Sequence, residues 1–129
     1  MKDKPECPLR RANVSKRIVV IGAAAAGLRA AALAKRLMPE AEIVVLDAAE
    51  VISYGACGLP YFVSGDIQAL HSLRATIWGA MRDPEFFKAA KALDVRTGKR
   101  VTAIDREGRN VRCVDAASGE EQSLPYDSW

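Results

Sequence analysis

Ile18-Val19-Val20-Ile21-Gly22-Ala23-Ala24-Ala25-Ala26-Gly27 is the stretch on which the reading of this chain turns. Four β-branched residues in a row, with no polar interruption, suit a central parallel strand covered on both faces. A small-residue turn bounded by Gly22 and Gly27 follows at once. Ala26, Ala30, Leu33 and Leu37 then recur at helical spacing, so the turn opens a helix, which Pro39 stops. Ile43-Val44-Val45-Leu46 reads as a second buried strand, with Asp47 at its carboxyl end. Strand, glycine turn, helix, strand and acid make the βαβ dinucleotide fingerprint. Gly22 allows the tight turn, Gly27 lets the helix pack closely on the sheet, and the helix N-terminus offers free N–H groups to a pyrophosphate. Asp47 stands at the spacing expected of a ribose-binding acid. The middle glycine of the fingerprint is replaced by Ala24, which costs some clearance without closing the site. An Ala-rich helix packed on a sheet with no ligand would share the glycine turn, but not the acid in register.

Outward from this unit, the sequence predicts a loop, a short helix, a connecting stretch, a further helix and a β-rich end. Asp83-Pro84-Glu85 reads as N-cap, first helical residue and acidic first turn. That helix is expected to run to about Leu93, with Phe86, Phe87, Ala90 and Leu93 as its apolar stripe. Asp94-Val95-Arg96-Thr97 can form another strand. Val101-Thr102-Ala103-Ile104 and Asn110-Val111-Arg112-Cys113-Val114 flank a hairpin turn, and Gln122-Ser123-Leu124 is a weaker third strand after the Ser118-Gly119 turn.

Composition fits one modest core: 129 residues, 50% hydrophobic and 27% charged. The net charge of +3 is no nucleic-acid signal, because the basic excess lies in the first seventeen residues and the remainder is slightly acidic. Residues 1–16 are expected to be a disordered basic tail, with no aromatic residue to stack on bases. No stretch is apolar enough to span a bilayer and no signal-peptide pattern is present, so a cytoplasmic location is the default expectation. Cys7, Cys57 and Cys113 do not make a disulfide framework, His71 is the single histidine, and no metal site is expected.

Cys57 is the chemically interesting cysteine. Gly58 follows it and Pro60 comes soon after, a pattern compatible with a helix starting near Cys57. A thiol at a helix N-terminus gains thiolate character from the dipole. The plain alternative, a buried small hydrophobe, suits Cys113, which sits beside Val111 and Val114 in the expected strand. Cys7, in the tail, is expected to be incidental.

Residues 17–127 resemble the N-terminal part of the pyridine nucleotide–disulfide oxidoreductases. The resemblance is carried by Val19-Val20-Ile21-Gly22 with its turn to Gly27, by Pro39 to Leu46, by Ser53-Tyr54-Gly55-Ala56-Cys57-Gly58-Leu59-Pro60-Tyr61, and by Val101 to Asp105. The nearest branch is the single-cysteine one of coenzyme A-disulfide reductases, NADH oxidases, NADH peroxidases and persulfide reductases. The resemblance implies an α/β fold: a Rossmann-like βαβ FAD-binding domain with a parallel sheet and a small antiparallel β-meander, over residues 17–129 and incomplete relative to the family. It implies FAD as cofactor, with the pyrophosphate at Gly22, Ala24, Ala26 and Gly27, the ribose at Asp47, the flavin beside Ala56 and Cys57, and the adenine near the backbone of Val101. Where the branch usually has Glu, this chain has the shorter Asp47.

The dithiol branch carries a second cysteine five residues after the first, and here that position is Phe62. Cys57 must then cycle through a mixed disulfide, a persulfide or a sulfenic acid. Peroxidase members carry a histidine near the glycine turn, and none lies there, which tilts the reading toward small disulfide, coenzyme A-disulfide or persulfide substrates. No second glycine fingerprint is present for NAD(P)H, the family's co-substrate. The expectation is therefore the FAD-binding and redox-cysteine portion of a longer NAD(P)H-dependent reductase, not catalytically complete alone and prone to self-association. The alternative is a non-catalytic FAD- or NAD-binding module.

Overall fold

The computed structural model describes residues 16–129. The expected basic tail, Cys7 included, lies outside the described residues apart from Lys16, which is exposed.

Strand β1 (Arg17–Ile21), helix α1 (Ala26–Leu37) and strand β2 (Glu42–Leu46) form the βαβ unit, with β1 and β2 parallel and in register from Arg17–Glu42 to Ile21–Leu46. After β2 come a 3₁₀ turn (Ala56–Gly58), the short helix α2 (Leu59–Val63), a second 3₁₀ segment (Leu70–Arg74) and helix α3 (Pro84–Lys91). Strand β3 (Asp94–Arg96) joins the other edge of β2, also parallel. Strands β4 (Lys99–Asp105), β5 (Asn110–Asp115) and β6 (Glu121–Pro125) make a separate antiparallel meander. The weak third strand of the sequence is real.

Strands β1 and β2 read as apolar runs because both faces of the sheet are covered. Ile43 and Val45 pack with Leu28, Ala31, Phe87 and Leu93 on the helical side. Val19, Val44 and Leu46 pack with Val111, Cys113, Leu124 and Tyr126 on the meander side. The result is three layers, helices over parallel sheet over meander, and the alternation along each strand decides which layer a side chain enters.

The stripe on α1 differs from the expected one. Leu28 and Ala31 are buried, whereas Ala26, Ala30, Leu33 and Leu37 face outward. Alanine and leucine occur on more than one face of this helix, so periodicity offers two stripes. The close approach of Gly27 to Gly22 selects the inner one.

Helix α3 begins as read, with the Asp83 carboxylate accepting the Phe86 N–H at 2.8 Å. It ends earlier, at Lys91, through Ala92 in the left-handed region at φ 52°. A non-glycine residue there is strained. Ala92→Gly is expected to stabilise the domain by about 0.5–1 kcal/mol. A lowered melting temperature would count against that assignment.

Candidate functional site

The two glycines of the turn are needed for different reasons. Gly22 takes φ +102°, and a Cβ there would touch nothing, so the backbone conformation demands glycine. Gly27 has an ordinary φ, but a Cβ would be driven into the carbonyl of Gly22 and against Val20. The N–H of Gly22 donates to the Leu46 carbonyl at 2.8 Å, which fixes the turn on the end of β2. Ala24 and Ala26 are exposed, and no side chain caps the start of α1. The first N–H groups of this twelve-residue helix are therefore left without intrahelical or capping partners.

Asp47 sits at the end of β2 with its carboxylate turned to the glycine turn. One oxygen accepts the Ala23 N–H at 2.5 Å and the other the Ala49 N–H at 2.8 Å. Its main-chain carbonyl accepts the N–H of Lys99 at 2.8 Å, so the start of β4 is tied to the same point. Val101, two residues on, is half-buried opposite Cys113, and a β-bulge interrupts the pairing between Val101 and Ala103. Bulges leave a residue unpaired in the ladder. Gly22, Ala24, Ala26, Gly27 and Asp47 thus gather at the carboxyl end of the parallel strands, with the strand bearing Val101 hydrogen-bonded to their rim.

The cysteine segment is hung on the same turn. Ile52 is fully buried, the Ser53 N–H donates to the Ala23 carbonyl at 2.8 Å, and the Gly55 N–H donates to the Leu73 carbonyl at 2.8 Å. Ser53 adopts φ 54°, a left-handed bend that redirects the chain toward Cys57. Cys57 lies inside the 3₁₀ turn ahead of the five-residue α2, so the helix expected there is short. A Cβ at Gly58 would meet the tip of the Leu73 side chain, so a larger residue there requires that leucine to shift. Ala56 and Cys57 are both exposed. Cys113 is fully buried, and burial pushes its thiol pKa up despite the nearby Lys99 and Arg96 cations. The histidine, His71, is exposed in the Leu70–Arg74 segment.

One feature escaped the sequence reading. A cleft of about 890 Å³ opens beside the start of α1 and the Ser53–Gly55 loop. Arg29, Arg36, Arg82 and Lys91 line it, and no Asp or Glu does. The spacing of Arg29 and Arg36, two helical turns apart, was the available signal. Among the described residues no cluster of His, Cys, Asp and Glu suits a metal. No described helix is long and apolar enough to cross a membrane.

A family model described as pyridine nucleotide-disulphide oxidoreductase matches residues 16–129. The chain belongs to that family. Among solved structures, a NAD-dependent persulfide reductase from A. fulgidus superposes with a TM-score of 0.82 at 43% identity, covering 86% of this chain and 20% of that one. A Pyrococcus horikoshii NAD(P)H coenzyme A polysulfide/persulfide reductase is 33% identical over 89% of this chain and 23% of its own length. A coenzyme A disulfide reductase of Staphylococcus haemolyticus is 29% identical over 87% of this chain and 24% of its own. The oxidoreductase domain described above therefore spans about a fifth to a quarter of the length of these relatives.

Proposed function

We propose that this chain supplies the FAD-cradling and thiol-bearing portion of an NAD(P)H-dependent reductase acting on coenzyme A-linked disulfides or persulfides through Cys57. The observation that carries this reading is the Ser53–Ala23 hydrogen bond, which hangs the exposed Cys57 segment on the nucleotide turn. The residues suit FAD: uncapped N–H groups at α1 for the pyrophosphate, Asp47 for the ribose, and the main chain of Val101, next to the bulge, for the adenine. When bound, FAD relays a pair of electrons from NAD(P)H to sulfur. The chain's own part is nucleophilic. The Cys57 thiolate attacks one sulfur of the substrate, forms a mixed disulfide and releases the other half as a thiolate. With Phe62 where a partner cysteine would stand, that mixed disulfide has no local thiol to resolve it. A working free thiol suits the reducing cytoplasm.

The cationic cleft supports a phosphate-bearing thiol. Coenzyme A carries phosphates that Arg29, Arg36, Arg82 and Lys91 can pair, whereas pantetheine has none. Arg29→Glu/Arg36→Glu is expected to weaken coenzyme A binding by about 10–100-fold in calorimetry, on the loss of charge-assisted bonds. Equal binding of coenzyme A and pantetheine would remove the cleft from the substrate site. The flavin part is tested by colour. Purified chain is expected to be yellow or to take up added FAD. Colourless protein that binds adenine nucleotides and refuses flavin would favour the non-catalytic module.

Self-association belongs to the same reading. Val63, Ile77 and Trp78, in the loop-rich region after β2, are each more than four-fifths exposed. Apolar groups so displayed promote association. Sedimentation is expected to show mass rising with concentration, and a compact monomer throughout would count against it.

A further inference from the structure

We infer that the Lys99–Asp115 ion pair is a positioning element that holds the main chain of Val101 in register with Asp47. This rests on the reading that places the adenine half of the cofactor there. Lys99 Nζ lies 2.6 Å from Asp115 Oδ2, with side chains 16% and 25% exposed. The other two ion pairs among the described residues, Arg17–Glu42 and Arg96–Asp94, have side chains at least 36% exposed. The surrounding residues make this pair a junction. The second oxygen of Asp115 accepts the N–H groups of Ala117 and Ser118, at 2.8 and 3.0 Å, and so sets the turn into β6. The lysine first, and then these main-chain donors, hold its carboxyl well below the usual carboxylate range. Gly98 donates to the Ala49 carbonyl at 3.3 Å and accepts the Ala116 N–H at 2.8 Å. Lys99 is thus fixed by its main chain to Asp47 and by its side chain to the end of β5.

The bulge gives that arrangement a purpose. Lys99 and Asp115 oppose each other in the ladder, and the register slips just beyond Val101. Beyond Val101 the ladder does not continue in the same register, so Val101 is the last residue held on this side of the bulge, by the three pairs that begin at Lys99–Asp115. Fixing Lys99, two places before Val101, leaves Val101 one position relative to Asp47. The pair does this without offering a spare charge to the ligand, because each partner satisfies the other.

The test uses ADP as probe, titrated calorimetrically against the purified chain. Lys99→Met and Asp115→Asn should each weaken ADP roughly fivefold to tenfold, the loss of about one hydrogen bond. The double variant should be no weaker than either single one, since both remove the same clamp. Lys99→Arg should restore affinity. Arg17→Met, which breaks an exposed pair elsewhere, should leave ADP binding unchanged. Hydrogen exchange at Val101 to Ile104 should quicken in Lys99→Met at a temperature where the fold is intact. A purely structural pair would lower the melting temperature in Lys99→Met and Asp115→Asn with ADP affinity and exchange at Val101 unmoved, and that result would overturn the inference. Additive losses in the double variant would overturn it as well. Absence of ADP binding by the unmutated chain would overturn both this inference and the FAD reading, whereas undiminished binding in Lys99→Met sinks this one alone.

Discussion

Gly27→Val is expected to yield a chain that melts without cooperativity and retains no flavin. A Cβ at this position enters the carbonyl of Gly22, which is main chain at the end of β1 and cannot rotate away. Relief requires α1 to move off the sheet, opening the layer that holds Leu28, Ala31, Ile43 and Val45. Overpacking at a backbone contact of this kind is expected to exceed about 3 kcal/mol, a large share of a small domain's stability. Gly22→Ala supplies the comparison. It meets no atom within 4 Å and bears only the strain of a positive φ, about 1–2 kcal/mol. Thermal melts should therefore rank Gly22→Ala as the milder change. If Gly27→Val melts at the same temperature as the unmutated chain, α1 does not pack as described.

Cys57 is expected to be alkylated almost completely before Cys113 reacts. Cys57 is exposed in its 3₁₀ turn, whereas Cys113 lies at 0% exposure between the sheets with its thiolate disfavoured by burial. Reagent reaches Cys113 only through opening of the meander layer, so the rate ratio is expected to be on the order of 100 or more. Peptide mass spectrometry over a time course reads it directly. In denaturant the two rates should converge, since the protection comes from folding. Equal rates in the native chain would remove Cys57 from the redox role. In an assembled enzyme, Cys57→Ser should then abolish disulfide reduction, because a hydroxyl cannot form the mixed disulfide.

The βαβ unit was legible because its signals are local and redundant: two β-branched runs, a glycine pair and an acid in register. The start of α3 was legible for a similar reason, since Asp83, Pro84 and Glu85 each carry one cap function. Local pattern failed where two answers fit equally. Helix α1 is so rich in alanine that its outward residues Leu33 and Leu37 looked like a core stripe, and only the tertiary approach of Gly27 to Gly22 chooses the other face. Strand β6 was faint because Glu121, Gln122 and Ser123 are polar and its single strong anchor is Leu124. For the site, Cys57 and the glycine turn were visible in sequence, but their link was not, because the Ser53–Ala23 bond spans thirty residues of unrelated pattern. The cationic cleft was hidden for the same reason: α1, α3 and the intervening loop each bring one or two cations, and no single segment is notably basic.

The outer edge of β1 carries a consequence for how the chain is made. Ile18 is bridged to Ser128, and the Arg17 N–H donates to Asp127 across a separation of 110 residues. During translation that partner does not exist until almost everything described here has been synthesised. At roughly 5–20 residues per second, β1 waits on the order of 5–20 s with this edge unpaired. Its first companion, β2, arrives much sooner, so the βαβ unit can form early with one flank open. A growing polypeptide in that condition offers a ready template to its neighbours on a polysome. Ribosome-bound chains halted before Asp127 are expected to be cleaved by protease within residues 17–21 far faster than the released, folded chain.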